Sequence, residues 1–292
     1  MLKNGVEMTT YSRLCYQFFG DSIKPLRKYF LDMKKDLQKA GMNFTLDEYL
    51  SMAVFTSVIM FLSETVILSF IFGLFFAPLI AVSLSITLSL SLSGLIFFLF
   101  YSYPTAVSKG RGESIDKVLP FAVSYLSAIA SGNVSPYYLF KTISRFKEYG
   151  EISKESGSIA RNIKIFGMNF SDAIKREAIR TPSKNFRELL YGINTIITSG
   201  ADLRSFLKNK ADLLIDDYRR RIRKYSQDLS VIVEIYLTLI IVGSIFFIVL
   251  TSIMGSTGGS GTIGVQSFIV FILLPLTSIG FIVIMKFKSP IK

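Results

Sequence analysis

Histidine and tryptophan are absent from all 292 residues, and Cys15 is the single cysteine. Without histidine, no Ser–His or Cys–His couple can form and no imidazole can ligate a metal. One cysteine excludes a thiolate zinc cluster and an internal disulfide. Two glycine-rich stretches, GRGESIDK (Gly110–Lys117) and GSTGGSGTIG (Gly255–Gly264), lack the Gly-Lys-Ser/Thr ending of a phosphate-binding loop and read as turns. The expectation is therefore a chain that is not an enzyme, with no catalytic residue, metal or cofactor, and that does not hydrolyse ATP itself. Residues 1–43 also lack the apolar run of a cleaved signal peptide.

Charge is missing from long stretches as well. The blocks Leu50–Val107 and Leu229–Met285 are strongly apolar, and the segments inside them around Phe72–Pro78 and Met254–Gly264 carry no charged residue. A spanning helix needs about 20 apolar residues, so each block fits two crossings and a turn. Half of the chain is hydrophobic and its mean hydropathy is +0.46, as in an integral membrane protein. The fold class expected is all-α: four transmembrane helices in two hairpins, with a helical bundle of about six helices between them. Residues 1–44 read as an N-terminal amphipathic region, 45–104 as the first hairpin, 105–228 as the bundle, 229–286 as the second hairpin and 287–292 as a tail.

All 33 Lys and Arg residues can be placed on one side of the membrane, before, between and after the blocks. Cytoplasmic loops collect such residues, so both termini and the bundle are expected in the cytoplasm of a multi-pass cell-membrane protein. The net charge of +12 follows from that orientation and does not imply nucleic-acid binding.

Local signals place the helices. Tyr11–Ala40 has apolar residues at helical spacing and stops at Gly41. Thr45 and Glu48 form a Thr-x-x-Glu capping box, so the first membrane helix is expected to start there. Pro78 breaks the first block. The serine-rich run Val82–Gly94 alternates with period two, but a lone strand cannot cross lipid, so it reads as helix packed closely on a neighbour. In the middle segment, Gly132, Gly150, Gly167, Pro182 and Gly200 separate helices predicted at Glu113–Ser131, Pro136–Glu148, Glu151–Ile165, Ser171–Arg180, Ser183–Thr198 and Asp202–Gln227. The last is expected to continue into the third membrane helix.

Three groups of residues stand out. Glu64 and Glu234 are carboxylates within membrane helices, where an acid costs about 2.5–3.5 kcal/mol and usually faces protein. Their simplest role is packing or assembly; an ion or proton pathway is the alternative. The run Arg219, Arg220, Arg221, Arg223 and Lys224 lies just inside the membrane, suited to anionic lipid at about 1 kcal/mol per residue or to an acidic partner surface. Sequons at Asn43, Asn133 and Asn169 fall on the cytoplasmic side and are not expected to be glycosylated.

The segments LPFAVSYLSAIASGNVSPYYLFKTIS (Leu119–Ser144) and GMNFSDAIKREAIRTPSKNFRELLYGINTIITSGADLRSFLKNKADLL (Gly167–Leu214) resemble the type II secretion system F domain. Its small-residue turns are matched by Ser131-Gly132 and Ser199-Gly200, ahead of helices carrying Leu139 and Phe206, and its Thr-Pro and aromatic element by Thr181, Pro182 and Phe186. The flanks LQKAGMNFTLDEYLS (Leu37–Ser51) and VEIYLTLIIVGSIFFIVL (Val233–Leu250) are similar to the archaeal-type branch, the platform proteins of archaella and type IV-like pili. The resemblance implies a membrane platform that couples a cytoplasmic secretion-type ATPase to the insertion of pilin-like subunits. It covers one module where many archaeal-type platforms carry two, which implies a homologous or identical platform chain as partner, besides membrane lipids. It also implies ATPase contact at Arg219–Lys224, and helix or pilin contact at Glu64, Glu234 and Tyr236. The rival reading is a small transporter or channel using Glu64 and Glu234; a membrane scaffold or sensor ranks after it.

Overall fold

The computed structural model describes residues 10–23, 25, 29–132, 134–256, 264 and 267–288. Among these residues every regular element is helical. Three helical stretches are long and apolar enough to cross a membrane: Leu46–Gly73, Pro78–Ala130 and Leu203–Ile253. A shorter apolar stretch, Phe271–Val283, falls where the fourth crossing is expected. Contacts divide the chain into two units, Met1–Ala211 and Asp212–Lys292.

In the first unit, α1 (Thr10–Ile23) and α2 (Leu31–Ala40) stand where the sequence predicts one continuous helix. Pro25 accounts for the break, since it lacks the N–H that a helix interior needs. The predicted stop is in place: Gly41 takes a left-handed conformation, φ 71°, and its N–H bonds back to α2. The predicted start is in place too. Thr45 caps α3 (Leu46–Gly73), accepting from Glu48 N–H while the Glu48 carboxylate accepts from Thr45 N–H.

After the turn at 74–77, Pro78 opens α4, which runs unbroken to Ala130, 53 residues. On it, Ala81, Ser85 and Ser89 form a buried small-residue stripe at i, i+4 spacing, and Ser93 Oγ donates to the Ser57 carbonyl of α3 at 2.8 Å. Small side chains let the two backbones approach, the packing expected of the serine-rich run. A core of Cys15, Met33, Leu37, Tyr49, Leu50 and Met52 gathers α1 and α2 onto the base of this hairpin.

Two expectations fail on α4. The helix predicted at Glu113–Ser131 is the last part of a helix already under way, and GRGESIDK is not a turn but helix interior. Glycine costs a helix only about 1 kcal/mol. Burying Ile115, Leu119, Ala122, Val123 and Leu126 along one face outweighs that.

On that face pack α5 (Pro136–Ile143), α6 (Glu151–Lys164) and α8 (Lys184–Ser199); α7 (Phe170–Arg180) packs on α6 and α8, and the start of α9 (Leu203–Leu237) meets α8 through Phe206. Bounds for α6, α7 and α8 lie within one residue of those predicted. The core holds Phe140, Ile143, Ile152, Ile159, Ile174, Phe186 and Leu190. Gly192 is required by α9: a Cβ there would lie 2.4 Å from the Phe206 ring.

In the second unit, α9 passes into a π-helical segment, Thr238–Val242, and then α10 (Gly243–Ser256). A second π segment, Ile269–Leu273, precedes α11 (Leu274–Lys288). Neither π segment is foreshadowed in the sequence reading. Most of the turn expected at Met254–Gly264, and the sequon at Asn133, lie outside the described residues.

Candidate functional site

One turn of α4, Arg111–Asp116, fastens most of the first unit together. Arg111 donates Nη1 to the Lys39 carbonyl at the end of α2 and Nε to Glu151 Oε2 at 2.7 Å. Its Nη2 reaches Glu155 Oε1 of α6 at 3.4 Å. Gly41, with no side chain, leaves room for that guanidinium; a Cβ would lie 2.7 Å from Nη1. One turn on, Asp116 accepts from Ser183 Oγ and from Asn185 Nδ2 at 3.2 Å. Ser183 also caps α8 at Phe186 N–H, and Arg187 donates to the Ala178 and Thr181 carbonyls that end α7. Between them lies Gly112, where a Cβ would come within 3.5 Å of the Pro182 backbone. The Thr181-Pro182 element is thus seated on α4 itself.

Electrostatics at this turn are uneven. Burial pushes the Glu155 carboxyl up to about 7, the Glu177 carboxylate adding to the rise and Arg111 opposing it. Burial also raises Glu177 on α7, against Arg180, Arg111 and Arg176. Glu151 is partly buried as well, but Lys154 and Arg111 hold it below the usual carboxylate range. Among the described residues, Glu155 Oε2 and Glu177 Oε2 are buried without a hydrogen-bond partner. The arrangement can hold or release a proton where helices α4, α6 and α7 meet. Sequence reasoning counted Arg111 only as a cation flanking the membrane and missed both acids. Their signal was present: Glu155 lies among Ile152, Ser156 and Ile159, and Glu177 among Ala173, Ile174 and Ala178, each an acid on a buried helix face.

The residues singled out beforehand lie elsewhere and are not brought together. Arg219, Arg220, Arg221, Arg223 and Lys224 are all exposed on α9. Arg219 pairs with Asp216 at 3.7 Å and Arg220 with Asp217, exposed i, i+3 pairs of a few tenths of a kcal/mol each. Glu64 is half-buried on α3, and its Oε2 makes no hydrogen bond among the described residues. Glu234 is exposed on α9. Tyr236 meets α11, its hydroxyl 3.2 Å from Ser278 Oγ and its ring 5.0 Å from Phe281.

Residues 122–251, from α4 through the bundle and α9 into α10, match the family model described as Type II secretion system (T2SS), protein F. Over that stretch, a little under half of its length, the chain is similar to this family. Two curated relatives come from Methanocaldococcus jannaschii. Uncharacterized protein MJ1286 is 26% identical over 234 residues, 79% of this chain and 38% of its own length. Flagella accessory protein J is 24% identical over 158 residues, 50% of this chain and 28% of its own length. The chain therefore spans well under half the length of these relatives. No solved structure matches it. With the protein F match and its long apolar helices, the chain is a membrane protein.

Proposed function

We propose that the chain is a platform of a type II secretion-like or type IV filament-assembly machine. In this reading a cytoplasmic ATPase engages the bundle, and pilin-like subunits pass from the bilayer beside the apolar helices. The observation that carries it is the protein F match over 122–251, a stretch holding both the bundle and the membrane-length helix that leaves it. The name of the relative Flagella accessory protein J supports a filament system. Four crossings, with both termini and the bundle cytoplasmic, complete the proposal: the fourth is Phe271–Val283 with its flanks. The platform works beside a homologous or identical platform chain.

The exposed cations of α9, Arg219, Arg220, Arg221, Arg223 and Lys224, are assigned to ATPase or anionic-lipid contact, and Glu64, Glu234 and Tyr236 to helix or pilin contact. Deleting the gene should abolish surface filaments, and tagged chain from membranes should co-purify with a hexameric ATPase. Normal filaments in the deletion strain would overturn the reading. A solute flux lost with Glu64→Gln would favour a transporter in its place.

A further inference from the structure

Among the described residues, one flank of α1 beside its contact with α3 is left exposed. Toward α3 the helix buries Ser12, Cys15 and Gly20, and its Tyr11 hydroxyl lies 2.7 Å from Thr56 Oγ1. The rings of Tyr11, Phe18 and Phe19 surround Phe55, with centroids 6.0, 6.1 and 6.2 Å away. Along the edge of that contact, Tyr11, Leu14 and Phe18 form an i, i+3, i+7 stripe that stays open to the outside, Tyr11 45%, Leu14 46% and Phe18 70% exposed.

The level of this stripe follows from the hairpin. About 20 residues cross the hydrocarbon. Counting that number back from Gly73, the end of α3, gives Val54; counting forward from Pro78 gives Phe97 on α4. The Ser93–Ser57 hydrogen bond sets a register that pairs Val54 with the neighbourhood of Ile96, so the two counts agree. Phe55 and Thr56, the residues α1 grips, therefore lie at the boundary of the hydrocarbon. At the same level Phe30 packs its ring on Phe97 and Tyr101, while Tyr29, Tyr101 and Tyr103 are exposed. Exposed tyrosines at one level are the mark of a membrane–water interface.

We infer that α1 is an interfacial helix: it lies in the headgroup region of the bilayer against α3, with Leu14 and Phe18 inserted toward the acyl chains. The partner is phospholipid, because the stripe continues the lipid-facing sides of α3 and α4 at the depth where they leave the hydrocarbon. Arg13 is an exposed cation on α1 such as this kind of helix presents to headgroups, and Lys24, Arg27 and Lys28 follow it in the sequence. This inference rests on the spanning role proposed for α3 and α4.

The chain has no tryptophan, so a single introduced indole reports alone. Full-length Phe18→Trp, and Leu14→Trp in case the first does not fold, are reconstituted in vesicles with lipids brominated near the headgroup or near the chain end. Val66→Trp, on the exposed side of α3, is the depth reference. Blue-shifted emission quenched more by shallow than by deep bromines at 14 and 18, with the reverse at 66, is the expected result. If 66 is quenched but 14 and 18 are not, whether their emission is water-like or blue-shifted by a protein neighbour, the inference is overturned and the spanning helices stand. Quenching of 14 and 18 at the depth of 66 also overturns it. Loss of quenching at 66 removes the spanning role, and the inference with it.

Discussion

The carboxyl of Glu155 lies 3.4 Å from the guanidinium of Arg111 and is the deeper partner, its side chain 4% exposed against 23%. A buried acid is thereby set against a cation that also ties down the end of α2. Arg111→Ala leaves Glu155 buried beside Glu177 without that cation, and removing one partner of a buried pair costs about 3–5 kcal/mol. Arg111→Lys should recover little of this, since an ammonium cannot fork among the Lys39 carbonyl, Glu151 and Glu155. Thermal unfolding of the purified protein in detergent measures both variants.

The same pair sets a pH dependence. Glu155 is raised to about 7 in the folded chain. Between the ordinary carboxylate range and about pH 7 the folded protein therefore keeps a proton that the unfolded chain has released, and stability falls as pH rises through that window. Glu177 acts in the same direction. Glu151, held low by Lys154 and Arg111, acts in the opposite sense, its contribution disappearing as pH falls. Glu155→Gln should flatten the profile between the ordinary carboxylate range and about pH 7, by up to ~3 kcal/mol for a shift of this size. Melting temperatures at about pH 5 and about pH 8 for both proteins test the sign.

Gly192 and Phe206 form a second coupled pair. Gly192→Ala places a methyl on the Phe206 ring and should cost about 1–3 kcal/mol, the usual range for overpacking. In Phe206→Leu the same alanine should cost less, because the ring that it strikes is gone. A double-mutant cycle reads the difference.

The hairpin offers a test inside the membrane. Ser85→Leu inserts a large side chain into the stripe of Ala81, Ser85 and Ser89, which is buried against α3. It should separate α3 from α4 and break disulfide trapping between cysteines placed at 57 and 93, positions that the Ser93–Ser57 bond brings together. Leu90→Ser, on the exposed side, should leave trapping intact.

Much of the fold was legible where one local rule dominated. The Thr45 capping box, the Gly41 stop and the bounds of α6, α7 and α8 follow from chemistry within a few residues of each boundary. Reading failed where distant packing overruled local preference. Gly110 and Gly112 read as a turn, yet both lie inside α4, Gly112 buried next to Pro182, seventy residues later. Pro104 looked like a domain edge, yet α4 continues through it with the ring buried. The Arg111 cluster was illegible for the same reason, since its members come from α2, α4, α6 and α7. Only the misplaced acids on two buried helix faces hinted at it.

Because α4 has no loop between its apolar half and its bundle half, it behaves as a lever about 80 Å long at 1.5 Å per residue. Tilting it by ~5° about one end would carry the other through roughly 7 Å. Pro104 is the twenty-seventh of its 53 residues and deprives the rod of one backbone hydrogen bond near its midpoint. If the rod bends under load, that is the place where it yields.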